Sequence, residues 1–382
     1  MSEWNRIKLN DCCNSIADGD HQPPPKAEKG IPFVTIANIN SSNQFDFKNT
    51  HFVPREYYDK LDDKRRPEKD DVLYSVVGSF GIPVFMKEQE EFVFQRHIAI
   101  LRPKSEIIWP RFLYYSMLTK EFYAQADAAA IGAAQRTVSL GALRNMAIAI
   151  PSMDEQIKIS DILSAYDDLI ETNQRQIKLL EEAAQRLYKE WFVDLRFPGH
   201  ENVPVVDGVP KGWEKSYLGI VSPIVTGKKD ANFGTTDGKY AFFTCAQEPI
   251  KAPSYSYNCD AVILAGNGDF NVKLYRGQFE AYQRTYVFSP YNYKHLYLLY
   301  HSIRENMRQL STGASGSTIK FLTKSMLESI KVLIPDKETL SVFNRSCDTI
   351  QQKKECLSKQ IAEAKEARER LLPKMMSGEI EV

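Results

Sequence analysis

Polar side chains suited to nucleic-acid recognition recur in short groups along this 382-residue chain. The groups are Gln95-Arg96-His97, Gln135-Arg136-Thr137, Asn267 with Asn271 and Lys273, Gln283-Arg284-Thr285, and Ser317, Thr318 and Lys320. Arg and Lys match the O6/N7 edge of guanine, Gln and Asn match adenine, and hydroxyl groups hold phosphate oxygens. A single group of this kind is common on any protein surface. Recurrence at equivalent places in two halves of one chain is what singles these out as candidate DNA contacts.

Other chemistries find no complete set of residues. None of the six cysteines forms a C-x-x-C pair, and His295 and His301 are spaced wrongly for one helical face. Gly266-Asn-Gly268 is half of a dinucleotide fingerprint and reads as a hairpin turn. Gly313-Ala-Ser-Gly316-Ser-Thr318 lacks the lysine of a phosphate loop, and Gln22-Pro-Pro-Pro25 lacks the aromatic residue that holds an amine for methyl transfer. Asp167-Asp168 and Glu181-Glu182 read as the solvated face of a helix. The chain is therefore expected to be non-catalytic and to bind no cofactor or metal itself.

Charge adds a second restriction. The 49 basic and 49 acidic residues cancel, which excludes binding to DNA by bulk charge alone. Residues 151–196 hold 6 Lys/Arg against 10 Asp/Glu, whereas residues 197–334 hold 15 against 11. Apolar residues at 43% and aromatics at 11% describe an ordered globular protein. With no apolar run near the ~18 residues of a membrane span, and no signal pattern at Met-Ser-Glu-Trp-Asn-Arg, the expected setting is cytoplasmic with reduced thiols.

Those polar groups are positioned by a long internal repeat. Trp4 and Leu9 match Trp213 and Leu218, and Phe33-Val-Thr-Ile-Ala37 matches Phe242-Phe-Thr-Cys-Ala246, both at an offset of 209. Gln95-Arg96 matches Gln283-Arg284 at 188, and Gly132 to Pro151 matches Gly316 to Pro335 at 184. The falling offset places deletions in the loops of the second copy. Runs such as Asp71 to Val77, Phe92 to Leu101 and Tyr282 to Phe288 read as strands, and Pro110 to Leu118 and Tyr293 to Leu310 as helices. Each copy is thus expected to be an α+β domain with a bent sheet.

A long helix ends each copy. Ser152-x-x-Glu155 reads as a capping box. Beyond it Leu163, Tyr166, Ile170, Asn173, Ile177, Leu180, Ala184, Leu187 and Trp191 alternate spacings of three and four, the a/d seam of a coiled coil. The offset of 184 carries this seam to Cys347, Ile350, Lys354, Leu357, Ile361, Ala364, Arg368, Leu371 and Met375, where Lys354 and Arg368 interrupt it. Two such helices in one chain are expected to pair antiparallel about a pseudo-two-fold axis. Aligned ends set Leu163 against Met375 and Ala184 against Lys354, whose methylenes would lie over the small side chain. The domains then run 1–150, 151–197 (first helix), 198–210 (linker), 211–334 and 335–382 (second helix).

Four segments resemble the specificity (S) subunits of type I restriction–modification systems. Ile150-Pro-Ser-Met-Asp-Glu-Gln156 resembles that family's entry to its first spacer helix, and Leu187-Tyr-Lys-Glu-Trp-Phe-Val-Asp194 its exit. Gly208-Val-Pro-Lys-Gly-Trp213 resembles the opening of the second recognition domain, and Leu371-Leu-Pro-Lys-Met-Met-Ser-Gly-Glu-Ile380 the C-terminal signature. The second helix departs from the pattern, opening Ile334-Pro-Asp-Lys-Glu-Thr without Glu-Gln. The resemblance implies two target recognition domains, each reading half of a bipartite double-stranded DNA site. It implies helices that set the gap and dock two methylation (M) subunits carrying S-adenosylmethionine, with restriction (R) subunits using ATP and Mg. A bacterial or archaeal, nucleoid-associated location follows from the same resemblance. The alternative reading of the residues is a coiled-coil adaptor whose domains bind proteins.

Overall fold

The computed structural model describes residues 4–19, 23–40, 42–133, 135–268, 270–314 and 320–382. Gln22, Ser317 and Thr318 lie outside the described residues. The first repeat holds strands β1 (Asn5–Lys8), β2 (Cys13–Asp18), β3 (Ile31–Val34), β4 (His51–Val53), β5 (Val72–Ser75), β6 (Pro83–Phe85), β7 (Val93–Phe94), β8 (Ile98–Pro103) and β9 (Ala147–Ile150). Its helices are α1 (Leu9–Cys12), α2 (Arg55–Asp59), α3 (Pro110–Met117), α4 (Lys120–Ala129) and α5 (Leu140–Asn145), followed by the long α6 (Met153–Tyr188). The second repeat holds β10 (Val205–Val206), β11 (Val209–Pro210), β12 (Glu214–Tyr217), β13 (Ile224–Thr226), β14 (Tyr240–Phe243), β15 (Ile250–Ala252), β16 (Tyr257–Ala265), β17 (Val272–Ala281), β18 (Thr285–Phe288) and β19 (Lys331–Ile334). Between and after these lie α7 (Leu218–Val221), α8 (Leu296–Gly313), α9 (Lys324–Glu328) and the long α10 (Lys337–Met376).

The chain divides into two compact units that cut across this order. One comprises residues 1–172 and 360–382, and the other residues 173–359. Each unit therefore owns part of both long helices. The segment 198–210 carries a 3₁₀ turn at His200–Asn202 and enters the β10–β11 hairpin, so it has structure of its own.

Both units repeat one build. In the first, β2-β8-β5-β6 form one sheet and β4-β3-β7 another, with β7 parallel to β3. In the second, β13-β18-β16-β17-β14-β15 form a single sheet. The ten-residue β17 does the work of two shorter strands there. Its start pairs antiparallel with β16, as β6 does with β5, and its end pairs parallel with β14, as β7 does with β3. Fusing the two strands removes the loop between them, which accounts for part of the fall in offset. The run Phe92 to Leu101, expected as one strand, is instead β7 and β8 broken by a turn at residues 95–97.

Residue pairs of the repeat occupy matching places. Leu9 donates its N–H to Met146 O and Leu218 to Ile330 O, both at 2.9 Å. Ser139 caps α5 and Thr323 caps α9 through the same side-chain bond. Leu143 and Leu327 are fully buried in their respective cores. About these scaffolds, apolar side chains from the sheet and from α3 or α8 form the main core of each unit.

The long helices start differently. Ser152 N and Oγ donate to Glu155 Oε2, while Gln156, buried, accepts from Trp109 N at 2.9 Å and donates to Pro151 O at 3.1 Å. At α10 a single Asp336 accepts from the N–H groups of Glu338 and Thr339 and from Trp213 Nε1. One carboxylate thus replaces the Glu-Gln pair whose absence marked the second entry.

Within each unit the two helix segments run antiparallel. In the first, Asp167 pairs with Arg368 and Lys158 reaches Val382 O; in the second, Glu181 pairs with Lys354 and Trp191 packs on Phe343. On α6, Leu163, Ile170, Asn173 and Ala184 are buried, as is Trp191 in the π-helical turn Lys189–Val193 that follows, and Tyr166, Ile177, Leu180 and Leu187 are half-buried. On α10, Cys347, Leu357, Ala364 and Met375 are buried, and Ile350, Lys354, Ile361, Arg368 and Leu371 are half-buried. The two cations that interrupt the second seam have charged partners that the register argument did not include. Each meets a carboxylate one turn earlier on α6 than aligned ends give: Glu181 instead of Ala184, and Asp167 instead of Ile170. Tyr115 Oη also donates to Asp167, at 2.6 Å. Asp167, read from sequence as a solvated residue, is thus a shared acceptor in the seam.

Candidate nucleic-acid interface

In each unit the central strand runs on past its last sheet pair into a short extension, and two other segments clamp that extension by main-chain bonds. In the first unit Val76 N donates to His97 O at 2.8 Å, Val138 N to Val76 O at 2.8 Å, and Gly78 N to Arg136 O at 2.9 Å. In the second, Gly266 N donates to Arg284 O at 2.8 Å, Leu322 N to Gly266 O at 2.8 Å, and Gly268 N to Lys320 O at 3.2 Å. The extension needs a left-handed residue at one point, supplied by Gly78 (φ 70°) and Gly268 (φ 71°) at equivalent positions. These bonds gather Gln95-Arg96-His97 with Gln135-Arg136-Thr137 in one unit. In the other they gather Asn267 and Lys320 with Gln283-Arg284.

The N–H groups of Gly266 and Gly268 are thereby both bonded to carbonyl oxygens.

The turns are fixed from beneath by two equivalent glycines. A Cβ on Gly19 would lie 2.1 Å from Phe94 O, and one on Gly227 would lie 2.1 Å from Ala281 O. Their N–H groups donate to Ile98 O (3.3 Å) and Thr285 O (3.0 Å). These contacts define the true register of the repeat at the turn. His97 corresponds to Arg284 and Arg96 to Gln283, one residue away from the Gln-Arg match seen in sequence.

The candidate residues differ in what their side chains already do. Arg96, Gln135, Gln283, Arg284 and Lys320 are exposed, while Gln95, His97, Thr137 and Asn267 are half-buried. Among the described residues no carboxylate pairs with Arg96 or Arg284. Arg136 is bound to Asp127, through both its carboxylate and its carbonyl, and its guanidinium stacks on Phe80 at 5.3 Å. Gln283 donates to Asp230 at 2.8 Å. Asn271 and Lys273 turn toward the carbonyls of Cys245 and Ala246, holding the loop that follows β14. Burial, and then the neighbouring Arg96, lower the pKa of His97 from its usual value, which favours the neutral ring. Thr285 requires a correction. It is fully buried at the start of β18 and its hydroxyl finds no partner among the described residues, so its side chain is not at the surface.

Sequence reasoning missed Lys228 and Lys229. They follow Gly227, and Lys229 O accepts from Gln283 N at 2.9 Å, which sets both beside the turn. Lys229 lies over the Phe233 ring at 4.4 Å. Adjacent lysines after a glycine were a visible signal, but after the equivalent Gly19 the first copy has Asp20 and His21 in their place.

Comparison with known proteins bears on this arrangement. A family model described as "Type I restriction modification DNA specificity domain" matches residues 1–182 and again 210–361. The specificity subunit of the type I restriction enzyme EcoDI from Escherichia coli is 35% identical over 176 residues, spanning 45% of this chain and 39% of that protein. That of HindI from Haemophilus influenzae is 22% identical over an alignment covering 100% of both chains. The crystal structure of a type I restriction–modification S subunit from M. genitalium shares the fold, with a TM-score of 0.58 at 15% identity over 97% of this chain and 96% of that one.

Proposed function

Because this chain belongs to the type I restriction modification DNA specificity family, we propose that its two units each read one half of a bipartite DNA site. The observation that carries this reading is the clamp repeated in both units with different side chains on it. Arg96, His97 and Gln135 stand in one, and Gln283, Arg284, Asn267 and Lys320 in the other. A common backbone frame with different hydrogen-bonding groups is what two different half-sites require.

The chain supplies sequence recognition and leaves the chemistry to partners. Methylation subunits, two per complex, bring S-adenosylmethionine and modify adenine, and restriction subunits bring ATP and Mg. The long helices serve as the docking surface for the methylation subunits, and the complex works in the cytoplasm. These assignments follow the family and fit a chain in which the N–H groups of Gly266 and Gly268 are both bonded to carbonyl oxygens.

Mapping methylated adenines in cells with and without the gene tests the proposal. A bipartite motif that disappears with the gene is the expected result. Exchanging residues 1–150 for the corresponding domain of a relative should change one half of that motif. Methylation unchanged by loss of the gene, or alteration of both halves by the exchange, would overturn it.

A further inference from the structure

A groove of about 640 Å³ runs along the edge strand β2 of the first unit, bounded by the turn at residues 62–65 and by α5. Four cations line it: Lys64, Arg65, Lys104 and Arg144. Two are held in place by neutral oxygens. Lys104 Nζ donates to Asp11 O at 2.9 Å, and Arg144 Nη2 donates to Ile16 O at 2.6 Å. Among the described residues no carboxylate pairs with either, so both keep their full charge while losing their freedom to move. The walls also carry two acidic residues, which sit with the other two cations: Asp62 accepts from Lys64 N at 2.9 Å, and Asp18 faces Arg65 at 4.0 Å, so the uncompensated charge is that of Lys104 and Arg144.

The groove has a direction. It follows β2 to Asp18, and the next residue, Gly19, is the one packed against the Gln95–His97 turn. Six residues of strand at about 3.3 Å each make a track of roughly 20 Å leading to the candidate reading turn.

The second unit shows that the scaffold does not need these charges. Tyr291 N bonds Val221 O as Lys104 N bonds Cys12 O, so Tyr291 stands where Lys104 does. By the offset of 184, Glu328 stands in α9 where Arg144 stands in α5. A cation has become a phenol and a second cation has become a carboxylate. Fixed, uncompensated charge that the repeat dispenses with elsewhere points to a ligand.

We propose that this groove holds the sugar–phosphate backbone of the duplex beside the half-site read by the first unit. Lys104 and Arg144 are its phosphate-positioning residues. The inference rests on the DNA-reading function above and adds to it phosphate contacts of the first unit that the second does not repeat at these positions.

The test uses the full chain with its methylation subunits and a duplex carrying the mapped motif. The slope of log K against log salt is measured for wild type, Lys104→Gln, Arg144→Gln, and the charge-keeping Lys104→Arg and Arg144→Lys. Each neutral variant should lower the slope by about one unit, with discrimination between correct and base-substituted half-sites unchanged. The charge-keeping variants should restore the slope. Thermal unfolding separates a folding defect in Arg144→Gln, which loses the Ile16 bond, from loss of a phosphate contact. An unchanged slope in both neutral variants, with wild type binding normally, overturns the groove assignment alone. Loss of base discrimination without a change in slope overturns it too, because the residues then support the reading turn. A wild-type complex with no preference for the motif duplex defeats the DNA-reading proposal itself.

Discussion

Acidification should weaken the second unit through one buried histidine. His301 in α8 is 2% exposed, packed among Tyr188, Tyr300 and Phe343. Its Nδ1 lies 3.0 Å from Gln185 Oε1, and Gln185 Nε2 donates to His301 O (3.3 Å) and to Glu305 (2.7 Å). Gln185 Oε1 is thereby oriented to accept a hydrogen bond from Nδ1–H of the neutral ring. Burial, followed by the positive charges of Arg304 and Lys354, lowers the pKa from 6.5 to about 3. The unfolded chain therefore takes up a proton near pH 6.5 while the folded protein does not. The contribution to stability is complete above pH 6.5 and shrinks as pH falls toward 3. At about 1.4 kcal/mol per pH unit, lowering pH from 7 to 5 costs about 2 kcal/mol. Urea unfolding of a Trp4→Phe/Trp109→Phe variant leaves Trp191 and Trp213 as reporters of this unit. Wild type should lose about 2 kcal/mol more over that range than His301→Gln. Equal losses, or an NMR titration of folded His301 centred near pH 6, would refute the argument.

Further outcomes follow from the clamps and the helix seam. Gly227→Ala drives a methyl group onto Ala281 O, so the second turn should shift at a cost of about 1–3 kcal/mol. Binding to duplexes altered in one half at a time should show loss of that unit's half-site preference alone. Gly268→Ala should act on the same half-site, because its left-handed backbone strains any other residue. Asp167→Asn removes the charge that Arg368 and Tyr115 share in a half-buried seam and should destabilise the first unit by about 2–3 kcal/mol, measured by denaturant unfolding. Arg368→Met in the Asp167→Asn background should recover part of that loss.

The sequence carried the repeat and the helix seam because both are periodic signals spread over many residues. Leu9 with Leu218 and Leu143 with Leu327 report equivalent places in two cores, where packing constrains residue type. A turn imposes no such constraint. The Gln-Arg pair repeated by coincidence one residue out of register, and the main-chain bonds at the turn, those of Gly19 and Gly227 among them, reveal the true correspondence. Side-chain direction was equally invisible: Thr285 borders exposed Arg284 but points inward. Lys354 and Arg368 looked like flaws in the seam because their carboxylate partners lie about 170 to 200 residues away in sequence. The cationic groove escaped notice for the same reason, since Lys64, Lys104 and Arg144 converge only when β2 and α5 are in place.

The division of the long helices between units has a consequence for synthesis. Met375 is buried with Leu9, Leu113 and Leu163 in the core of the first unit, and Leu371 and Ile380 pack against it. That core cannot close when residues 1–150 leave the ribosome, because its last wall is more than 200 residues away in translation. At roughly 5–20 residues per second the gap lasts about 10–50 s. Residues 173–359 contain everything the second unit needs and are completed earlier. The half made first is therefore the half finished last. A nascent chain spends that interval with an open apolar face, and a product that stops short of residue 360 keeps it open.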